Sequence, residues 1–121
     1  MIKLKRAYEP PTADDGARYL VDRLWPRGQS KASLGIEAWL KDLSPSAELR
    51  RFFCHDPGLW DQFQERYRQE LGDPAKAPAL EALARQARQG AVTLIYAAKD
   101  TERNNALVLA QELKARLGQG R

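Results

Sequence analysis

Histidine and cysteine occur once each, as His55 and Cys54, and that scarcity removes whole classes of chemistry. A lone cysteine cannot close an internal disulfide, and no spaced set of cysteine and histidine is present to build a structural zinc site. No metal site is expected. No apolar run approaches the roughly 18 residues of a membrane span, and the opening Met1-Ile2-Lys3-Leu4-Lys5-Arg6 lacks the hydrophobic stretch of a secretory signal. The expectation is a cytoplasmic protein with no membrane partner. Neither familiar spacing of a glycine-rich phosphate loop is found, and no segment repeats.

What is present is ordinary globular composition: 121 residues, 43% hydrophobic and 30% charged. That is enough for one core and too little for two, so residues 1–121 read as one domain. Basic side chains number 20 against 16 acidic ones, a net charge of +4. The excess is uneven. Through residue 31, Lys3, Lys5, Arg6, Arg18, Arg23, Arg27 and Lys31 are set against only Glu9, Asp14, Asp15 and Asp22. A net charge of +4 alone is compatible with nucleic acid, phosphorylated metabolites or nothing in particular. For Lys3 and Lys5 the plainer reading is an edge strand whose charges block pairing with other chains.

Residues 2–8 alternate as a half-buried strand, with Ile2, Leu4 and Arg6 on one face and Lys3, Lys5 and Ala7 on the other. A proline-rich turn ends at Asp15-Gly16, and a second strand covers about residues 18–23. Their link is shorter than a usual parallel crossover, which leaves their relative direction open. Ile36, Trp39, Leu40 and Leu43 recur at helical spacing and predict a short helix. Ser44-Pro45 reads as the start of another, carrying Leu49, Phe52 and Phe53, and Asp56-Pro57 opens a third that buries Trp60, Phe63, Tyr67 and Leu71. A fourth follows Pro78 and stops at Gly90. Val92 to Ala98 is almost continuously apolar, as befits an interior strand. A last helix, capped by Asp100 or Thr101, runs to Gly118, with a frayed tail beyond. The sum is a small three-layer, Rossmann-like α/β domain whose thin, mainly parallel sheet is flanked by helices. Three strands make a narrow sheet, so a homodimer is compatible.

Tyr19-Leu20-Val21 runs straight into Asp22, Arg23, Trp25, Arg27 and Gly28 around a proline, and strand ends of this kind hold ligands in α/β domains. Three stretches then carry a resemblance: Val21 to Gly28; His55-Asp56-Pro57 with Trp60, Phe63 and Tyr67; and Tyr96-Ala97-Ala98-Lys99-Asp100 with Asn104. Over essentially the whole chain they resemble the YeaO-like family, a bacterial branch of the group known as domain of unknown function 488. The resemblance implies a compact α/β fold rather than an activity. It also implies an Asp-Val-Arg pattern after one strand, matched in part by Asp22-Arg23, and a cysteine-histidine pair at the last helix. Here Asn104 and Asn105 stand in the place of that pair, and a mechanism needing a thiol or imidazole there does not carry over.

If the strands ending at Asp22 and Ala98 are parallel neighbours, Arg23, Arg27, Lys99 and the start of the last helix converge on an anion site. Trp25, Gly28, Asp100, Asn104 and Asn105 belong to the same two loops and complete the candidate ligand-binding set. Asp22 would orient an arginine or act as a base beside Arg23, and His55 is a second candidate proton carrier. The structural alternative pairs Asp22 with one arginine, packs Trp25 in the core and uses His55 to fix its loop. Cys54, after two phenylalanines, reads as buried and inert, and the aromatic helix as core packing. Asn104 or Asn105, poor helix formers, should serve a hydrogen bond to the Asp22 loop or to a ligand. Three functions stay open: a binder of a small anionic ligand, with or without catalysis and with its cofactor undefined; a nucleic-acid module using Lys3, Lys5, Arg6, Arg18 and Arg27; and a protein-interaction module.

Overall fold

The apolar run Val92–Tyr96 forms a strand buried at every residue, and the remaining strands are placed by it. In the computed structural model, which describes residues 1–119, β1 (Ile2–Arg6), β2 (Ala17–Leu20), β3 (Ala38–Trp39) and β4 (Val92–Tyr96) form one sheet in the order β1-β4-β2-β3. Every pairing is parallel. The first two strands, whose relative direction was open, therefore run the same way, and β4 inserts between them. All four C-terminal ends meet at one edge of the domain.

Five helices flank the sheet: α1 (Lys31–Leu34), α2 (Ala47–Phe53), α3 (Trp60–Leu71), α4 (Ala77–Gln89) and α5 (Asn105–Gln119). The three layers are unequal. On one face Val92, Leu94 and Tyr96 meet Phe63, Tyr67, Leu80, Leu109 and Leu113 in the main core. Fully burying an aliphatic or aromatic side chain of this size contributes about 1.5–3 kcal/mol. The aromatic helix packs as expected, with Phe63 stacked on Phe53 at 4.4 Å and the Tyr67 hydroxyl donating to Leu43 O at 2.5 Å. On the other face only Ala7, Leu20, Leu34 and Ile95 form a small apolar cluster.

The rest of that second face is polar. Lys3 of β1 and Arg18 of β2 both stand in register with Thr93 of β4, so three strands present one row toward the turn Ala13–Asp15. Asp15, fully buried, accepts from Arg18 Nη1 at 2.7 Å and Lys5 Nζ at 3.0 Å, with Lys3 Nζ at 3.6 Å. Burial pushes its carboxyl up, but hydrogen bonds from the Thr12 backbone, Lys5, Arg18 and the Thr12 hydroxyl outweigh that and hold it well below the ordinary carboxylate range. β1 is an edge strand of the sheet, as read from its lysines, and Lys3 and Lys5 on it also clamp a buried carboxylate. Gly16 makes the approach possible: its φ is +63°, and a Cβ there would sit 2.2 Å from Ala91 O.

Several local expectations are corrected. The helix predicted over Ile36 to Leu43 is the two-residue strand β3 followed by a 3₁₀ turn, Lys41–Leu43. α2 is capped by Ser46, whose side chain accepts from Leu49 N, and not by Ser44, which is buried and donates to Lys41 O. Asp56 caps the turn Pro57–Leu59 that leads into α3, and Pro78 lies inside the first turn of α4. The cap of α5 is Asn104, whose Oδ1 accepts from Leu107 N at 3.1 Å, not Asp100 or Thr101. Cys54 is exposed at the end of α2 with φ +43°, not buried. The tail expected to fray beyond Gly118 falls largely on residues 120 and 121, outside the described residues.

Candidate functional site

Val21 makes the last ladder bond between β2 and β4, donating to Ile95 O at 3.0 Å. One residue later the Asp22 side chain takes over. Its Oδ2 accepts from Ala97 N at 2.9 Å and its Oδ1 from Asn105 Nδ2 at 3.1 Å, while its backbone carbonyl accepts from Trp39 Nε1 at 2.6 Å. Asn105 Nδ2 also donates to Val21 O at 2.9 Å. The ends of β2 and β4, the start of α5 and the edge strand β3 are thus tied at one residue. Burial raises the Asp22 pKa above the ordinary carboxylate value, opposed by the Ala97 N–H, the Asn105 amide and the charge of His55. No arginine pairs with Asp22 among the described residues, so the ion pair of the structural alternative is absent there.

Beyond Asp22 the two loops diverge and enclose a cavity of about 670 Å³. Its lining includes Asp22, Arg23, Trp25 and Arg27 from the first loop, and Lys99, Asp100, Asn104 and Asn105 from the second, with His55 from the segment after α2. Nearly the whole set read from the sequence is therefore brought together. Gly28 is the exception: it does not line the cavity, and its φ of +79° serves the turn that Gln29 N closes by donating to Pro26 O. Trp25 is 36% exposed at the rim and not in the core, its indole N–H donating to Gln29 O at 2.7 Å.

Four cations line this space, Arg23, Arg27, Arg50 and Lys99, and none forms an ion pair among the described residues. Arg23 uses Nε to hold Pro45 O at 2.9 Å, which leaves its two terminal amino groups without a protein acceptor among those residues. The acids are spoken for. Asp100 accepts from Glu102 N and Arg103 N and pairs with Arg103 Nη1 at 3.0 Å, bonds that hold its carboxyl below the ordinary value despite some burial. Asn104 is 2% exposed and fully engaged, donating to Asp100 O and capping α5. His55 and Cys54 are consecutive non-glycine residues at positive φ, which cost about 1 kcal/mol or more each. They swing the chain from α2 to the Asp56 cap and set His55 at the cavity mouth.

Sequence reasoning missed Arg50 and Tyr8. Arg50 lies on α2 beside a second arginine, Arg51, and nothing local distinguishes it; only the packing of α2 on α3 brings it here. Tyr8 carried a weak signal, an aromatic side chain immediately after a strand and before two prolines. The basic residues proposed as a nucleic-acid surface are mostly consumed within the fold. Lys3, Lys5 and Arg18 hold Asp15, and Arg6 donates to Ala98 O at 2.9 Å and Ala97 O at 3.0 Å. Among the described residues no helix is long and apolar enough to cross a membrane.

A family model described as the inactive DUF488-N3 subclade matches residues 1–121. The uncharacterized protein YeaO of Escherichia coli K12 is 42% identical over 114 residues, 94% of this chain and 97% of that protein. The uncharacterized protein Rv3073c of Mycobacterium tuberculosis H37Rv is 41% identical over 115 residues, 95% of either chain. No solved structure matches.

Proposed function

We infer a binding protein from the family to which this chain belongs, the YeaO-like DUF488 group in the branch described as its inactive N3 subclade. In this reading the cavity at the C-terminal ends of β2 and β4 holds a small anion, a phosphate ester or carboxylate, and releases it unchanged. The observation that carries it is the imbalance of charge in that space. Arg23, Arg27, Arg50 and Lys99 have no ionic partner among the described residues, whereas Asp22 and Asp100 are already bound by donors of the fold. Arginine can grip a phosphate or carboxylate through two parallel donors, and a lysine adds a point charge.

Binding without turnover fits the two asparagines. Asn104 caps α5 and Asn105 fastens Asp22, so both positions that the wider group gives to cysteine and histidine serve architecture here. Asp22 and His55 remain the residues that could move a proton if turnover occurred. The nucleic-acid reading loses support because, of its lysines and arginines, all but Arg27 are engaged inside the fold.

The test is calorimetric titration with inorganic phosphate, pyrophosphate and small phosphomonoesters, together with ³¹P spectra of the esters after prolonged incubation. Saturable binding, lost in Arg23→Ala and Lys99→Ala, with unaltered spectra is the expected result. Binding that survives both substitutions would refute the site, and ester hydrolysis by the parent protein, absent in Asp22→Asn, would refute the passive role.

A further inference from the structure

Only four large hydrophobic side chains are exposed among the described residues, and three of them, Tyr8 (44%), Leu24 (55%) and Trp25 (36%), line this one cavity. Apolar surface left in water is unfavourable in proportion to its area, so its concentration around a single cavity marks what the cavity takes. The cavity volume of about 670 Å³ lies within the range of roughly 300–1,000 Å³ that encloses whole small molecules. A bare inorganic ion would use the cations and leave the apolar rim uncovered.

The two rim aromatics are held by their polar atoms. Trp25 donates its indole N–H to Gln29 O at 2.7 Å and rests edge-on against Trp39, with ring centroids 5.4 Å apart and planes at 69°. Tyr8 donates its hydroxyl to Arg27 O at 3.3 Å, and the Arg6 guanidinium carbon lies 5.1 Å from its ring centroid. With their hydrogen-bonding atoms engaged, each ring has mainly its carbon surface left to offer. Rigid flat side chains also lose little entropy when a ligand settles on them. Beneath the rim, Phe53 and Phe63 extend the aromatic lining inward.

From this arrangement, and resting on the anion-binding reading above, we propose that the ligand is a nucleoside monophosphate. Its base lies against Trp25 and Tyr8, and its phosphate is held by Arg23, Arg27 and Lys99. Stacking of a base on an aromatic side chain strengthens binding by roughly tenfold or more, and the preference among bases is weak because every base has a π face. The two parts of the site are separable. The aromatic rim sets how much tighter a nucleotide binds than a sugar phosphate, and the cations set whether either binds.

The experiment titrates the protein with AMP, GMP, CMP, UMP, ribose 5-phosphate, adenosine, hexyl phosphate and a ten-residue deoxythymidine strand. At least one nucleotide should bind about tenfold tighter than ribose 5-phosphate, hexyl phosphate or adenosine. Trp25→Ala should bring that nucleotide down to the affinity of ribose 5-phosphate, and Trp25→Phe should restore most of the difference. Thermal unfolding of both variants checks that they fold. Equal affinity for nucleotides and ribose 5-phosphate, or for nucleotides and hexyl phosphate, would overturn the nucleotide assignment and leave the anion site standing. A strand that binds far more tightly than any monophosphate would overturn it in favour of a polymer. Failure of every phosphate compound to bind would remove the anion site itself, and this proposal with it.

Discussion

Asn105 reaches back 83 residues to donate its side-chain amide to Asp22 Oδ1 at 3.1 Å, and the same nitrogen donates to Val21 O at 2.9 Å. Two acceptors at the end of β2 therefore depend on one side chain at the start of α5. Asn105→Ala strips both of that donor and should lower unfolding free energy by about 1–3 kcal/mol in urea titration. Asn105→Asp should cost more at neutral pH, because a second carboxylate would face Asp22, and should recover part of the loss on acidification.

The Asp22 carboxyl, raised by burial, binds its proton more readily in the folded chain than in the unfolded one. Stability attributable to this group is thus greatest at low pH and falls as pH rises from the ordinary value of 3.8 through the folded pKa. The cost of Asp22→Asn should accordingly be larger at pH 4 than at pH 7. Paired denaturation curves of parent and variant at the two pH values decide it, and an equal or reversed difference would contradict the assignment.

Asp15 has the opposite sign. Its folded pKa is depressed, so its contribution is complete above the ordinary value of 3.8 and is lost as pH falls below it. Asp15→Asn leaves Lys5 and Arg18 without their anion while Lys3 keeps Asp14 at 3.3 Å, a loss of about 3–5 kcal/mol for a broken buried pair. The variant should also lose less stability than the parent between pH 5 and pH 2, which thermal melts across that interval would measure.

Gly16 and Gly90 flank the start of β2 and β4 but differ in tolerance. A Cβ at Gly16 would enter Ala91 O at 2.2 Å from a positive φ, whereas one at Gly90 meets nothing within 4 Å. Gly16→Ala should cost roughly 3 kcal/mol or more from strain and overpacking together, and Gly90→Ala should fall within about 0.5 kcal/mol of the parent. Differential scanning calorimetry separates the two directly.

These contrasts mark what could be read from the residues. The run from Val92 to Ala98 was legible as the interior strand because an almost continuously apolar, β-rich run has few other uses, although the strand ends at Tyr96, short of Ala97 and Ala98. The convergence of Arg23, Arg27 and Lys99 followed from one assumption, parallel neighbours, and the pairing of β2 with β4 meets it. β3 was not legible: two residues are too few to show a period of two, and Ile36, Trp39, Leu40 and Leu43 mimic a helical stripe while Trp39 and Leu43 serve opposite faces of the sheet. The Asp15 clamp was hidden for a different reason. Lys3, Arg18 and Thr93 share a row only after three distant strands pair in register, and no local pattern announces that. Poor helix preference marks Asn104 and Asn105 together as hydrogen-bonding residues, to the Asp22 loop or to a ligand, and only their placement in the fold separates them: Asn105 reaches Asp22 and Asn104 caps α5.

At Asp22 a carboxylate replaces the peptide group that would have made the next rung of the sheet, accepting from Ala97 where a backbone carbonyl otherwise would. The sheet consequently stops at a chemical stitch and not at a gradual parting of strands. Everything that follows, from Arg23 to Gln29 on one side and from Ala98 to Arg103 on the other, hangs from a fixed origin. The exposed side chains of those two segments can therefore change without moving the strands beneath, whereas Ala98, whose carbonyl holds Arg6 of β1, and Asp100, whose carbonyl holds Asn104, belong to the stitch itself.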